Sequence, residues 1–195
     1  MPKIVDHDQR RAELIQVILK VMSEHGLAGT TIRTIARAGG FSSGVLSHYF
    51  TSKDEMVNFA FGAVAEAIFV RVDERLRTTK SPKDRVRLLV EELVPSNGID
   101  QESIVSIAFW GTALHDPDLR SQFHERYENW RNYLRRELVA AVNESGSDET
   151  NIDDNVELLV SLADGFLISW TLDPNRYDSA TRQRLITKGL KLFNL

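Results

Sequence analysis

The chain has 195 residues, 42% of them hydrophobic and 27% charged, with a net charge of −4; this balance fits a packed soluble core and excludes a compositionally disordered chain. It contains no cysteine, which excludes disulfides, Cys-ligated zinc and thiol nucleophiles. No run of 18 or more apolar residues and no charged-then-apolar leader occurs, so the expectation is a cytoplasmic protein that neither spans a membrane nor is exported.

Residues 1–7 read as a frayed arm carrying Lys3, with Arg10 and Arg11 just beyond it. The first helix begins near Asp8. Leu14, Ile15, Ile18, Val21 and Met22 recur at helical spacing, and the stripe ends at His25 and Gly26, a C-terminal stop. In the stretch Thr30 to Lys53, Ile32, Ile35 and Ala36 form an apolar face, Gly39 and Gly40 end it, and a second short helix opens after Phe41 with Ser42 as its cap. Phe41 and Leu46 have the spacing of a hydrophobic staple, while Leu46 and Phe50, four apart, point back at the preceding helix. Ser43, Gly44, Ser47 and His48 are left facing outward. A small, polar-faced helix behind a glycine turn is what a helix-turn-helix DNA reader needs, and the alternative is an ordinary helical hairpin. Ser52 to Glu55 is a capping box that leaves Lys53 beside orphan amides suited to a phosphate. Residues 1–53 hold seven Lys/Arg (Lys3, Arg10, Arg11, Lys20, Arg33, Arg37, Lys53) against four acids (Asp6, Asp8, Glu13, Glu24), or +3, which leaves −7 for the remainder. A basic end on an acidic body is the asymmetry of a protein that meets phosphate at one end.

From Met56 to about Arg77 the pattern stays helical for roughly 25 residues, about 37 Å. Phe59, Ala63, Ala67, Val70 and Leu76 are its expected inward face, and Arg71, Asp73, Glu74, Arg75 and Arg77 its wet one. Ser81 and Pro82 open the next helix, with Val86, Leu89, Val90 and Leu93 apolar before Pro95 to Gly98 end it. Asp100 opens another, carrying Ile104, Ile107, Ala108, Gly111 and Leu114, and Asp116 with Pro117 restarts the chain in the same manner. The helix that follows has a one-sided stripe of Leu119, Phe123, Tyr127, Trp130, Leu134, Leu138 and Ala141, its other face crowded with Arg and Glu. Glu144 to Asp154 reads as a mobile polar loop. Val156 to Leu172 is apolar nearly all round, so it needs a core on one flank and a second subunit on the other. A final helix with Leu185, Ile186, Gly189, Leu190 and Phe193 on one face completes a four-helix dimer seam, to which Leu159, Ala163 and Phe166 are also assigned. The alternative is a central helix enclosed within a monomer.

The segment Leu14 to Phe61 resembles the N-terminal domain of the TetR family of bacterial repressors, matching without gaps its order of helix, Gly, Thr-Thr, Ile-Ala, Gly, Gly-x-Leu, Tyr-Phe and Ser-Lys-Asp-Glu. The wording GVLSHYFTSKDEM, with FWGTALHDPDLR and LADGFLISW further on, resembles the choline-responsive BetI-type branch. The resemblance implies an all-α fold of about nine helices. A three-helix DNA-binding domain would cover residues 1–53 and continue into a connecting helix to about 77, and residues 54–195 would form a ligand-binding and dimerisation domain. It also implies a homodimeric regulator that represses from a palindromic operator and is released by a small molecule, and it supports Thr31, Gly44, Tyr49 and Lys53 as DNA-proximal. Assigned by physical type, Thr31, Tyr49 and Lys53 hold phosphates; Ser43, Val45, Ser47 and His48 face base edges; Arg33 reaches either; Gly44 permits close approach; Ser42 stands at the helix start. Phe109, Trp110, Tyr127, Trp130, Phe166 and Trp170, with Asp164 among apolar residues, are the candidate effector box, suited to a quaternary amine or another cation, or to a flat hydrophobic compound. No catalytic constellation stands out; His115 and His124 read as solvated surface residues, and neither metal nor cofactor is expected. A second reading stays open, a helical ligand-binding or scaffolding protein whose N-terminal hairpin contacts protein instead of DNA.

Overall fold

The computed structural model describes residues 7–95, 100–146 and 151–193. They form nine α-helices and no strand: α1 (His7–Gly29), α2 (Ile32–Gly39), α3 (Ser43–Tyr49), α4 (Lys53–Thr78), α5 (Pro82–Glu92), α6 (Gln101–Ala113), α7 (Pro117–Ser145), α8 (Ile152–Leu172) and α9 (Ser179–Leu190). Lys3, the end of the Pro95 to Gly98 stop, and the centre of the loop expected to be mobile lie outside the described residues. Within that loop, α7 runs on to Ser145 and is closed by Gly146 at φ 66°.

Local chemistry sets most of the boundaries. Thr31, Ser42, Ser52, Ser81, Asp100, Asp116 and Asp178 each accept a backbone N–H in the first turn of the helix that follows them, satisfying donors that would otherwise be orphaned. The stop expected at Gly26 is a bend. Gly26 takes φ 63° and breaks the regular ladder, and helix resumes as far as Gly29. Thr30, fully buried, donates its hydroxyl to the Gly26 carbonyl at 2.8 Å and pins the bend.

Two apolar clusters lie along the molecule. The first joins Leu14, Ile18 and Met22 of α1, Ile35 of α2, Leu46 of α3 and Phe50 to Met56, Val57 and Phe61 of α4, and it extends to Val105 and Phe109 of α6. The second gathers Val72 and Leu76 of α4, Val86 and Leu89 of α5, Trp130 and Leu134 of α7, Leu159 and Trp170 of α8, and Ile186 of α9. The long helix α4 serves both clusters, so its buried face rotates along its length. Ala67 and Val70, expected inside, are exposed, while Phe61, Val64, Ala65 and Val72 are buried. The inner face of α6 is likewise Val105, Phe109 and Ala113; Gly111 and Leu114 face solvent, and Ile104, Ile107 and Ala108 are half-buried. Charge adds a brace: Arg71 on α4 forks onto both carboxylate oxygens of Glu102 at 2.7 and 2.8 Å and also reaches Glu92 at 3.1 Å, tying α4, α5 and α6 together.

Helix α8 is long and apolar enough by composition to cross a bilayer, yet one flank of it is core, with Val156, Leu159, Val160, Ala163, Leu167 and Trp170 buried. This removes five of the expected seam residues: Leu159, Ala163, Ile186, Gly189 and Leu190 are buried inside the chain itself, whereas Phe166, Leu185 and Phe193 pack against the same core and stay partly exposed. The uncovered apolar row of α8 is Leu158, Ile168 and Leu172, at 57%, 40% and 75% exposure, spaced so that they share a face.

Candidate nucleic-acid interface and ligand cavity

The turn between α2 and α3 depends on its two glycines. Gly40 adopts φ 65°, the left-handed conformation that closes α2, and its N–H bonds the Ala36 carbonyl. A Cβ on Gly39 would stand 2.3 Å from the Phe41 ring, so the ring can fold back over the turn only because nothing is there. Arg10 covers the other side of Phe41, its guanidinium 4.3 Å from the ring centroid. Arg10, just beyond the arm, thus holds the turn, and Arg11 similarly lies over Phe59.

Helix α3 starts at Ser42, whose hydroxyl accepts the Val45 N–H at 3.2 Å. Leu46 and Phe50 anchor its inner side in the first cluster. Ser42, Ser43, Gly44, Ser47 and His48 are exposed, and Val45 and Tyr49 are half-buried. This leaves a face of small and polar groups free to approach a groove. Thr31 is engaged in a reciprocal cap: its hydroxyl accepts the Thr34 N–H at 3.1 Å, while Thr34 Oγ1 accepts the Thr31 N–H at 2.9 Å. Arg33 and Arg37 stand exposed on α2. At the start of α4, Ser52 accepts the Glu55 N–H, and Glu55 reaches one residue further back than a standard capping box, to the Thr51 N–H at 2.7 Å and its hydroxyl at 2.9 Å. The backbone hydrogen bond from Thr51 is the main reason the Glu55 carboxyl lies below its ordinary range. Lys53, the first residue of α4, is half-buried beside that end.

Farther along, α4, α6, α7 and α8, with Leu93 just after α5, line a cavity of about 80 Å³ that is partly open to solvent. Of the expected box, Trp110, Tyr127, Trp130 and Asp164 line it. Phe109 does not: it faces the first cluster, stacked on Phe61 with ring centroids 3.8 Å apart. Phe166 and Trp170 stack on each other at 4.6 Å and border a separate groove with Tyr177 and Leu185. Sequence reasoning missed Phe61, Ala65, Ile68 and Phe69 from α4, together with Arg126. The i, i+4, i+7, i+8 spacing of the α4 group was the available signal.

Tyr127 donates its hydroxyl to Asp164 Oδ1 at 2.9 Å. Burial pushes the Asp164 carboxyl up to about 6, against the pull of that hydrogen bond and of Arg131. Burial, with the Asp164 charge beside it, also raises Tyr127, so the phenol stays protonated and keeps donating. The Trp130 indole N–H is buried without a hydrogen-bond partner, while that of Trp110 is directed at the Tyr127 phenol without a well-formed bond. An acid among π faces, with a spare donor near it, suits an organic cation carrying an acceptor. Among the described residues no group of three or more His, Asp or Glu side chains is placed to hold a metal ion.

Comparison with known proteins matches residues 14–59 to the family model for bacterial regulatory proteins of the tetR family, and residues 82–193 to the model for the C-terminal part of BetI-type transcriptional repressors. The HTH-type transcriptional regulator PksA of Bacillus subtilis is 33% identical, over 98% of this chain and 93% of its own. The HTH-type transcriptional regulator BetI of Burkholderia lata is 28% identical, over 95% and 94%. Among solved structures, a putative transcriptional regulator from Saccharomonospora viridis in complex with choline superposes with a TM-score of 0.80 at 20% identity, covering 96% of this chain and 95% of that one. At that identity the superposition speaks for the fold.

Proposed function

The chain belongs to the TetR family of bacterial regulatory proteins, with a BetI-type C-terminal part, and we propose that it is a cytoplasmic homodimeric repressor released from a palindromic operator by a small-molecule effector. The observation that carries this reading is the sharing of Phe61. Its ring belongs to the core that seats α3 and also forms a wall of the effector cavity. Phe109 stacks on the core side of that ring, and its chain neighbour Trp110 lines the cavity. A ligand that displaces Phe61 therefore repacks the support of the reading helix, which favours one arrangement of the two heads over another.

In this proposal α3 enters the major groove. Ser43, Val45, Ser47 and His48 meet base edges, while Thr31, Tyr49 and Lys53 hold phosphates and Ser42 orders the helix start; Arg33 reaches a phosphate or a base. Dimerisation uses the uncovered row of α8, Leu158, Ile168 and Leu172, since a row of large apolar side chains on one face is costly to leave in water. The test is a fluorescence-anisotropy titration of a labelled duplex from upstream of the protein's own gene, followed by addition of choline and other quaternary amines. Binding of two protomers per duplex, reversed by one of these compounds, is the expected outcome; binding that no compound in a wider metabolite set reverses would refute the release step.

A further inference from the structure

The cavity is lined by two charged side chains of opposite sign that do not pair with each other. Asp164 comes from α8 and Arg126 from α7. Asp164 is engaged by the Tyr127 hydroxyl. Arg126 lies with its guanidinium 5.3 Å from the Phe61 ring centroid, close enough to α4 that a Cβ on Gly62 would stand 3.4 Å from its Nη2. The other charges nearby are committed or exposed. Arg131, which acts on Asp164 through space, forks onto Glu157 at 2.6 and 3.1 Å and also reaches Glu128. Glu66 and Glu125, which act on Arg126, are exposed.

A partly desolvated charge without a counter-charge is unfavourable, and two of opposite sign would relieve each other by touching. Here Asp164 is held by the Tyr127 hydroxyl and Arg126 lies over the face of Phe61. Trp110, Trp130 and Phe69 line the same cavity, and their π faces attract a quaternary ammonium. Its volume of about 80 Å³ limits the occupant to a small molecule. Resting on the effector reading above, we infer that the effector is dipolar: a quaternary ammonium seated against the aromatic wall and Asp164, joined by a short linker to a carboxylate or similar anion that pairs with Arg126. A plain cation satisfies Asp164 and leaves Arg126 with only the exposed carboxylates of Glu66 and Glu125 acting on it; a plain anion leaves Asp164 with only Arg131, itself committed to Glu157. A site that holds both charges in place selects against ligands lacking either one.

Four probes of nearly one shape separate the contributions in calorimetric titrations of the full chain at pH 7.5. Trimethylglycine carries both charges, choline only the cation, 3,3-dimethylbutanoate only the anion and 3,3-dimethylbutan-1-ol neither. The expected order places trimethylglycine at least tenfold tighter than choline, and both ahead of the neutral alcohol. Arg126→Gln should bring trimethylglycine to within about twofold of choline. The wild-type comparison needs no variant, so a folding defect in Arg126→Gln does not spoil the test. Choline binding as tightly as trimethylglycine, an unchanged ratio in a folded Arg126→Gln, or no binding by any of the four would overturn the dipolar inference. A different compound that frees the operator would then leave the effector reading standing; operator binding indifferent to every compound would remove both.

Discussion

Asp164→Asn should change how stability responds to pH, and the sign follows from burial. The Asp164 carboxyl is raised from an ordinary 3.8 to about 6 in the folded chain, so between those values the native state holds a proton that the unfolded state has released. Stability contributed by this group is therefore greatest at and below about pH 4, falls as pH rises, and is fully lost above about pH 6. At 1.36 kcal/mol per pH unit the loss is about 3 kcal/mol; the residual exposure of the group and water entry into the cavity reduce what is measured to about 1–3 kcal/mol. Asparagine keeps the shape and carries no charge. Urea unfolding of both proteins from pH 4.5 to pH 8 isolates this group, because every other titrating side chain is common to the pair. The stability of Asp164→Asn relative to wild type should rise across pH 4.5–6.5 and then level off. A difference that stays flat with pH would refute the assignment of Asp164 as a desolvated acid. A quaternary cation in the cavity favours the carboxylate, so its binding should tighten as pH rises through 6 and should release a proton below it.

Lys53→Ala should weaken binding to every DNA sequence and lower the slope of log K against log salt by roughly 1, whereas His48→Ala should mainly relax sequence preference; equal salt slopes for wild type and Lys53→Ala in a titration would contradict the phosphate role. Gly40→Val places a β-branched residue at φ 65°, a conformation that costs an L-residue about 1–2 kcal/mol or more; chemical denaturation should show that loss along with weakened DNA binding, and an unchanged midpoint would mean that the turn adapts. Leu158→Glu, at an exposed position of α8, should shift sedimentation at micromolar concentration from dimer to monomer, while a persistent dimer would place the seam elsewhere.

The head was legible in the sequence because its determinants are local. Ser42, Ser52 and Thr31 cap helices a few residues away, and Gly40 closes α2 within its own turn. The inner faces of α4 and α6 were not, because each helix offers apolar residues on more than one side. Helix α4 passes from one core to another, so the single stripe drawn through Ala67 and Val70 fails where the buried face rotates to Val72. Phe109 and Trp110 show the limit at the cavity. Neighbouring residues on a helix point about 100° apart, and the packing of Phe61 decides that Phe109 is buried in the head core while Trp110, at its edge, also lines the cavity. Arg126 was read as part of the wet face of α7 because its neighbours in sequence are charged. Its place over Phe61 is a tertiary fact.

The most direct measurement is the salt-dependent affinity of the full chain for two duplexes, one from upstream of its own gene and one of scrambled sequence. The account predicts dimer binding to the first that is at least about 10³-fold tighter, with affinity for both falling steeply between 50 and 200 mM salt. Equal affinity for the two duplexes, or no binding to either at low salt, would contradict it.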